Sequence, residues 1–145
     1  MPLRPEAFVG SWDLVAFEVE LADGRTVFPM GADARGRLMY GADGRMSATL
    51  SAADRAPLSV PRLEAYGRAP QAEKASAFDS FLAYVGRFTL ENDAVVHHVE
   101  LASVPNIVGA KQRREAILEG DSLTLRYAVH GDRGTRHNTL RWRRS

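Results

Sequence analysis

Apolar and polar residues alternate along most of the chain, which is the pattern of β-strands that bury one face. The alternation is clearest near the C-terminus, where Leu123, Leu125, Tyr127 and Val129 share one face. Asp-Gly, Asn-Asp and Gly-Asp pairs separate many of the alternating segments, which favours antiparallel hairpins. The pattern predicts about eight to nine strands, at residues 10–21, 26–28, 36–40, 45–50, 84–90, 94–102, 110–118, 122–129 and 135–143.

Two segments depart from this alternation. The first strand carries apolar residues on both faces, which predicts a β-bulge or a change of buried face near Ala16. One helical insert is predicted around residues 61–83, with its main helix within residues 69–84. That helix is indicated by apolar residues at helical spacing: Ala75, Phe78, Phe81 and Leu82. The fold class is therefore all-β, a single up-and-down antiparallel barrel whose closure removes exposed sheet edges.

Composition narrows the classes of function. The chain has 145 residues, which predicts one domain over residues 1–145. It is 45% hydrophobic and 26% charged, with a net charge of +1, so neither a nucleic acid nor a membrane is an expected partner. It has no cysteine, no apolar run of signal-peptide length and no membrane-span candidate, so a cytoplasmic location is expected. A homodimer remains open.

The densest set of interleaved polar groups lies in residues 84–114. Adjacent residues of a strand point to opposite faces, so His97 and His98 must diverge. Val95, Val99 and Leu101 share the face of His97, and this apolar set predicts that His97 points inward. An inward histidine is either a hydrogen-bonded core residue or a general acid or base.

Arg113 and Arg114 diverge in the same way. Arg114 shares its face with Gln112, Ala116 and Leu118, so it is predicted to point inward. A buried guanidinium needs a carboxylate, a tyrosine oxygen or a ligand anion as its partner. An ion pair at the barrel end and ligand binding are both open at this point.

Other kinds of site lack a motif. His130 and His137 have no further metal ligand at suitable spacing, so no metal is expected. There is no G-x-S-x-G sequence, so a serine nucleophile is not expected. There is also no Gly-rich phosphate loop before a helix, and no cofactor is expected.

A set of short motifs covers almost the whole chain, in this order: G-S-W-D-L, A-D-G-R, G-R-L-M-Y, D-G-R-M-S-A, F-L-A-Y-V-G-R-F, V-H-H-V-E, P-N-I-V-G, G-D-S-L-T-L and L-R-W-R-R. With these motifs in family order, the chain resembles the bacterial and fungal lipocalin-like domain family. The resemblance implies a β-barrel with an interior of ligand size and a tryptophan, here Trp12, that plugs the closed end. Many relatives carry an aromatic residue in place of Ala116 and a tryptophan in place of Ile107, so the smaller residues here would enlarge the cavity or open its mouth.

Three hypotheses follow. The first is a barrel that binds a small apolar or amphipathic ligand. The second is a cofactor-independent isomerase or cyclase acting on a polyketide- or terpenoid-like natural-product intermediate, with His97 and Tyr84 as the catalytic residues. The third is an interaction module with a filled interior. The candidate ligand-binding residues are Tyr40, Met46, Tyr84, His97, Asn106, Arg114 and Tyr127.

Overall fold

A computed structural model describes residues 2–145, apart from the side chains of Leu63 and Glu64. Its strands are β1 (Gly10–Glu20), β2 (Thr26–Val27), β3 (Arg35–Tyr40), β4 (Arg45–Ser51), β5 (Phe81–Glu91), β6 (Ala94–Ala102), β7 (Lys111–Glu119), β8 (Ser122–Gly131) and β9 (Gly134–Arg144). Two α-helices, α1 (Pro5–Phe8) and α2 (Gln71–Asp79), and 3-10 turns at Leu63–Arg68 and Pro105–Ile107 complete the chain.

The sheet closes into a barrel because β1 pairs with both β3 and β9. Every pairing is antiparallel, and apart from β2 each strand lies next to the strands that precede and follow it. The short β2 adds to the barrel as an extra strand beside β1. The predicted all-β, up-and-down barrel is confirmed.

The two ends of the barrel differ. At one end the hairpins β3–β4, β5–β6 and β7–β8 turn tightly, and α1 precedes β1. All three turns use left-handed backbone, at Gly44 (φ 84°), Asn92 (φ 53°) and Gly120 (φ 60°). The other end carries the longer connections, which are the helical insert between β4 and β5 and the loop between β6 and β7. We call the end with the tight hairpins and α1 the closed end, and the end with the longer connections the open end.

The closed end is packed around Trp12, which is 0% exposed. The Trp12 indole Nε1 donates a hydrogen bond of 2.9 Å to the carbonyl oxygen of Phe8 in α1. The Arg144 guanidinium lies over the Trp12 ring at 4.2 Å and donates bonds of 2.8 Å to the carbonyl oxygens of Val9 and Ala7. The strand ends and the N-terminal segment are thereby held together at one point.

The predicted irregularity of the first strand is confirmed. The β1–β9 register shifts between Leu14 and Ala16, so Val15 is the additional residue. Trp12 is buried before the bulge, and Phe17 and Val19 are buried after it. The bulge moves the apolar positions of both halves of β1 to the barrel interior.

Two expectations were wrong in detail. The main helix ends at Asp79, because Phe81 and Leu82 belong to β5 and pair with Ser51 and Leu50 of β4. Leu101 is not on the face of His97 but is 68% exposed. The β5–β6 register shifts between Val85 and Gly86, which leaves an extra residue in β6 and reverses the faces beyond it.

In residues 2–145, neither helix has the length and the hydrophobicity that a membrane-crossing helix needs.

Candidate functional site

The barrel encloses a cavity of about 160 Å³. Most of its wall is aliphatic and aromatic, and its open side lies toward the loop between β6 and β7, which contributes Val104 and Ile107. The lining residues are Leu38, Ala48, Leu50, Leu82, Tyr84, Val104, His97, Ile107, Gln112, Arg114, Leu125, Tyr127, Leu140 and Trp142. This combination of an apolar wall and a few polar groups is typical of small-molecule sites.

Four consecutive strands place the polar groups. Tyr84 lies on β5, His97 on β6, Gln112 and Arg114 on β7, and Tyr127 on β8. His97 pairs directly with Gln112, and Arg114 pairs with the neighbouring inward position of β6. Because side chains alternate along a strand, the antiparallel register brings these groups to one side of the cavity. The predicted inward orientation of His97 and Arg114 is confirmed.

A chain of hydrogen bonds links Tyr40, His97 and Tyr84. The Tyr40 hydroxyl lies 2.7 Å from His97 Nε2, and the Tyr84 hydroxyl lies 2.7 Å from His97 Nδ1. His97 is 1% exposed and Tyr40 is 2% exposed. The rings of Phe8 and Phe88 pack on Tyr40, with centroids at 5.6 Å and 4.6 Å. Both nitrogens of His97 are therefore bonded to protein groups.

These three side chains are neutral near neutral pH. Burial lowers the pKa of His97 to about 3, and the positive charge of Arg114 acts in the same direction. Burial also raises the pKa of Tyr84 to about 12, with Arg114 opposing this change. The pKa of Tyr40 is raised well above its ordinary value, again mainly by burial.

The neutral imidazole has one donor and one acceptor, so its tautomer sets the direction of the chain. Among residues 2–145, His97 is the hydrogen-bond partner of the Tyr40 hydroxyl. If Nε2 carried the proton, the Tyr40 hydroxyl proton would stay buried without an acceptor, at a cost of about 1–3 kcal/mol. Tyr40 therefore donates to Nε2, and the Nδ1–H group donates to the Tyr84 oxygen. The Tyr84 hydroxyl proton remains free on the cavity side.

Arg114 is the one charged side chain among the described residues that line the cavity. Its guanidinium lies over the Tyr127 ring, 3.6 Å from the centroid, and donates a hydrogen bond of 3.3 Å to the Arg113 carbonyl oxygen. No described carboxylate forms an ion pair with it, and burial lowers its pKa while the tyrosines around it act to raise it. Most of its five N–H donors thus have no partner in the part of the chain that is described.

Its neighbour Arg113 provides a contrast. Arg113 points outward and pairs with Asp93 at 3.2 Å and with Glu91 at 3.7 Å. The two adjacent arginines therefore have opposite environments, one among acidic groups on the barrel surface and one in an apolar cavity.

Two more polar atoms in the wall are unpaired. Gln112 Oε1 and Trp142 Nε1 are buried and have no hydrogen-bond partner among the described residues. Unpaired buried polar atoms are infrequent in folded proteins, and a bound molecule is one reason for them. Both residues belong to the cavity wall.

The candidate ligand-binding residues fall into two groups. Tyr84, His97, Arg114 and Tyr127 line the cavity. The other three do not: Tyr40 lies behind His97, Met46 is buried next to Tyr40 in the β3–β4 pair, and Asn106 is exposed in the 3-10 turn Pro105–Ile107.

Several lining residues were not among the candidates. Gln112 shares the face of Arg114, so strand alternation was the signal that could have identified it. Trp142 alternates with Leu140 in the same way on β9. Val104 and Ile107 lie in the loop between β6 and β7, where no strand period applies. Ile107 lines the cavity, whereas Ala116 is a buried core residue outside the wall.

The chemistry available to the wall is hydrogen bonding and charge stabilisation. His97 has no free nitrogen to exchange a proton directly with a bound molecule. The described residues contain no group of three or more histidine, aspartate or glutamate side chains placed to hold a metal ion.

Comparison with known proteins agrees with this architecture. The sequence profile of a family described as a lipocalin-like domain matches residues 9–145. A protein from Aspergillus oryzae, named a 4'-hydroxy-3'-methoxypropiophenone carrier protein, is 41% identical over 61 residues. That match covers 37% of this chain and 55% of the relative, so the chain spans about half of the relative's length. The resemblance inferred from the motifs is confirmed.

Proposed function

We propose that this chain, which belongs to the lipocalin-like domain family, binds a small amphipathic molecule inside its barrel. The apolar body of the ligand would contact the aliphatic and aromatic wall, and an oxygen group of the ligand would accept hydrogen bonds from Arg114 and Tyr84. The Arg114 guanidinium, which lies in an apolar cavity and has no described carboxylate as a partner, is the observation that carries this proposal. A buried charge without an acidic partner is costly, and a ligand oxygen would offset that cost.

The cavity volume indicates the scale of the ligand. An apolar cavity of roughly 150 Å³ in another protein accommodates benzene. The cavity here is about 160 Å³ and opens toward the loop that carries Ile107, so it suits one substituted aromatic ring better than a long lipid. A cavity of this size does not fit the hypothesis of an interaction module with a filled interior.

The named ligand of the relative has suitable chemistry. By its name, 4'-hydroxy-3'-methoxypropiophenone is a benzene ring that carries a hydroxyl, a methoxy group and a three-carbon ketone chain. Its ring matches the apolar wall, and its oxygens match the donors of Arg114 and Tyr84. An aryl ketone or a related phenolic intermediate of natural-product biosynthesis is therefore the ligand class that we propose.

Isothermal titration calorimetry with 4'-hydroxy-3'-methoxypropiophenone tests the proposal. We expect saturable binding with one site per chain, and at least about tenfold weaker binding for Arg114→Met, which corresponds to one lost charge-assisted hydrogen bond. Arg113→Met is the matched control, because it removes the adjacent arginine on the outer face. Equal affinity of the wild type and both variants would contradict the role of Arg114.

An isomerase or cyclase remains the second candidate, and one observation favours it. A guanidinium and a hydroxyl donor on one side of a cavity are the groups that would stabilise an enolate oxygen. The described wall contains no carboxylate, and both nitrogens of His97 are engaged, so a general base is not evident. Nuclear magnetic resonance can separate the candidates: a binding protein leaves hydrogen–deuterium exchange at the ketone α-carbon at its uncatalysed rate, whereas an isomerase accelerates it.

The cytoplasmic location stays a prediction from the sequence. The sequence leaves open whether the protein forms a homodimer.

A further inference from the structure

The polar groups that can reach a ligand are mostly donors. Tyr84 has a hydroxyl proton free on the cavity side, because its oxygen already accepts from His97 Nδ1. Arg114 has several free N–H groups and a positive charge. The Trp142 Nε1–H group is buried without an acceptor. Gln112 Oε1 is the one fully buried acceptor without a partner among the described residues of the wall, and the Tyr127 hydroxyl can either donate or accept.

The charge balance of the cavity points in the same direction. The titratable groups around it are Tyr40 from β3, Tyr84 from β5, His97 from β6, Arg114 from β7 and Tyr127 from β8. Four of these five are neutral near neutral pH, because burial raises the pKa of each tyrosine and lowers the pKa of His97. Among the groups described, the cavity wall therefore carries one positive charge that no carboxylate compensates.

We propose that the cavity binds its ligand as an oxyanion held between the Arg114 guanidinium and the Tyr84 hydroxyl, with Tyr40 fixing the direction of that hydroxyl through His97. This inference rests on the proposed function and adds the charge state of the ligand. For a phenolic ligand, the O–H bond breaks, the oxygen keeps the electron pair, and the proton passes to water. The ligand would then form the ion pair that the protein itself does not supply.

Tyr40 is a positioning residue in this arrangement, because it does not line the cavity. Its hydroxyl donates to Nε2 and so keeps the proton of His97 on Nδ1. Without that hydroxyl, Nε2 has no partner in either tautomer, so the preference for a proton on Nδ1 is lost, and Tyr84 can turn to donate to Nδ1 in a fraction of the molecules. The Tyr84 hydroxyl would then present lone pairs to the cavity, and lone pairs repel an oxyanion.

The test is an absorbance titration of 4'-hydroxy-3'-methoxypropiophenone, whose phenolate absorbs at longer wavelength than its phenol. The apparent pKa of the phenol is measured free and bound to the wild-type protein. We expect the bound phenol to have a pKa lower by roughly 1–3, the effect of an opposite charge at close range. The 4'-methyl ether of the same ketone cannot ionise, so we expect it to bind at least about tenfold more weakly once the free phenol is ionised.

Three variants assign the effect, and a fourth, Arg113→Met, is the control. Arg114→Met should abolish most of the pKa change, and Tyr84→Phe should reduce it. Tyr40→Phe should also reduce it, by less than Tyr84→Phe does, although it removes no group from the cavity wall. Arg113→Met should leave it unchanged. Near-ultraviolet circular dichroism of each variant checks that the barrel is folded.

The outcomes separate the two proposals. If the phenol and its methyl ether bind equally and the bound pKa is unchanged or raised, the oxyanion inference is overturned and small-molecule binding stands. If neither compound binds, and 4-nitrophenol, a smaller phenol, does not bind either, the ligand class under the proposed function is overturned and the inference with it. If Tyr40→Phe has the same bound pKa as the wild type, Tyr40 does not position the hydroxyl.

Discussion

Arg144 and Arg114 both lie over aromatic rings, but their surroundings are opposite. Arg144, at the closed end, lies over Trp12, bonds to two backbone carbonyl oxygens and pairs with Asp121 at 3.4 Å. Arg114, in the cavity, lies over Tyr127 and has one bond, at 3.3 Å, to a backbone carbonyl. The Arg144 guanidinium holds pieces of the protein together, whereas most of the Arg114 donors are left for another molecule.

The comparison separates stability from binding. Where the protein supplies the partners of a buried polar group, removing that group leaves those partners unsatisfied and destabilises the fold. Where the partners are missing, the charge is itself a cost to the empty protein, and its removal is tolerated. The closed end should therefore respond to substitution through stability, and the Arg114 side of the cavity through ligand affinity.

The largest expected loss of stability comes from a substitution at the closed end. Trp12 is fully buried, and its indole supports both the α1 carbonyl of Phe8 and the guanidinium of Arg144. Trp12→Ala should lower the free energy of unfolding by about 3–5 kcal/mol, as measured by urea denaturation. A loss below about 1 kcal/mol would place Trp12 outside the core, against the closed end described here.

The next expected effect is the pH dependence of stability that His97 causes. His97 lines the cavity, but the protein supplies hydrogen-bond partners to both of its nitrogens, so it should affect stability as the closed end does. Its pKa is about 3 in the folded state and about 6.5 in an unfolded chain, so only the unfolded state takes up a proton as the pH falls from 6.5 toward 3. Stability should therefore fall with acidification, by about 1.4 kcal/mol for each pH unit, and be unaffected by this group above pH 6.5.

Urea denaturation at several pH values measures this slope, with His97→Gln as the comparison. Subtracting the free energy of unfolding of the variant from that of the wild type removes the contribution of surface carboxylates such as Asp13. The pKa of Asp13 is lowered, so its protonation destabilises the protein only at still lower pH. Identical slopes for the wild type and the variant above about pH 5 would show that His97 is not buried in its neutral form.

A smaller effect is expected at the first arginine of the comparison. Arg144→Met keeps an apolar side chain over Trp12 but removes the bonds to Val9 and Ala7. The free energy of unfolding should fall by about 1–3 kcal/mol, with ligand affinity unchanged. A variant as stable as the wild type would mean that Arg144 does not secure the N-terminal segment.

The strand alternation was enough to orient much of the cavity. The cavity wall contains the four predicted residues His97, Arg114, Tyr84 and Tyr127, because side chains alternate between the two faces of a strand that buries one face. The alternation gave the wrong face for Leu101, because a bulge in β6 reverses the faces beyond it. No residue type in the sequence indicates this bulge. The helix boundary failed for a similar reason: Phe81 and Leu82 fit a helical spacing, but pairing with β4 outweighs it.

The polar chemistry of the site was less accessible from the sequence. Tyr40 was a candidate, but its bond to His97 joins residues 57 positions apart and depends on barrel closure. Arg114 has no described acidic partner because none of the strands around the cavity turns a carboxylate toward it. Predicting this would require the inward face of every one of those strands. Asn106 was a candidate by composition, yet the turn at Pro105–Ile107 exposes it and places Ile107 on the wall.

The smallest expected change in stability tests the central claim, that Arg114 is held for a ligand and not for the fold. The measurement is the free energy of unfolding of ligand-free Arg114→Met against the wild type, by urea denaturation near neutral pH. The methionine keeps an apolar chain over Tyr127 while the uncompensated charge is removed. The account predicts a variant as stable as the wild type, within about 0.5 kcal/mol, or more stable. A loss of about 2 kcal/mol or more would show that Arg114 supports the barrel in the way that Arg144 does, and would contradict the account.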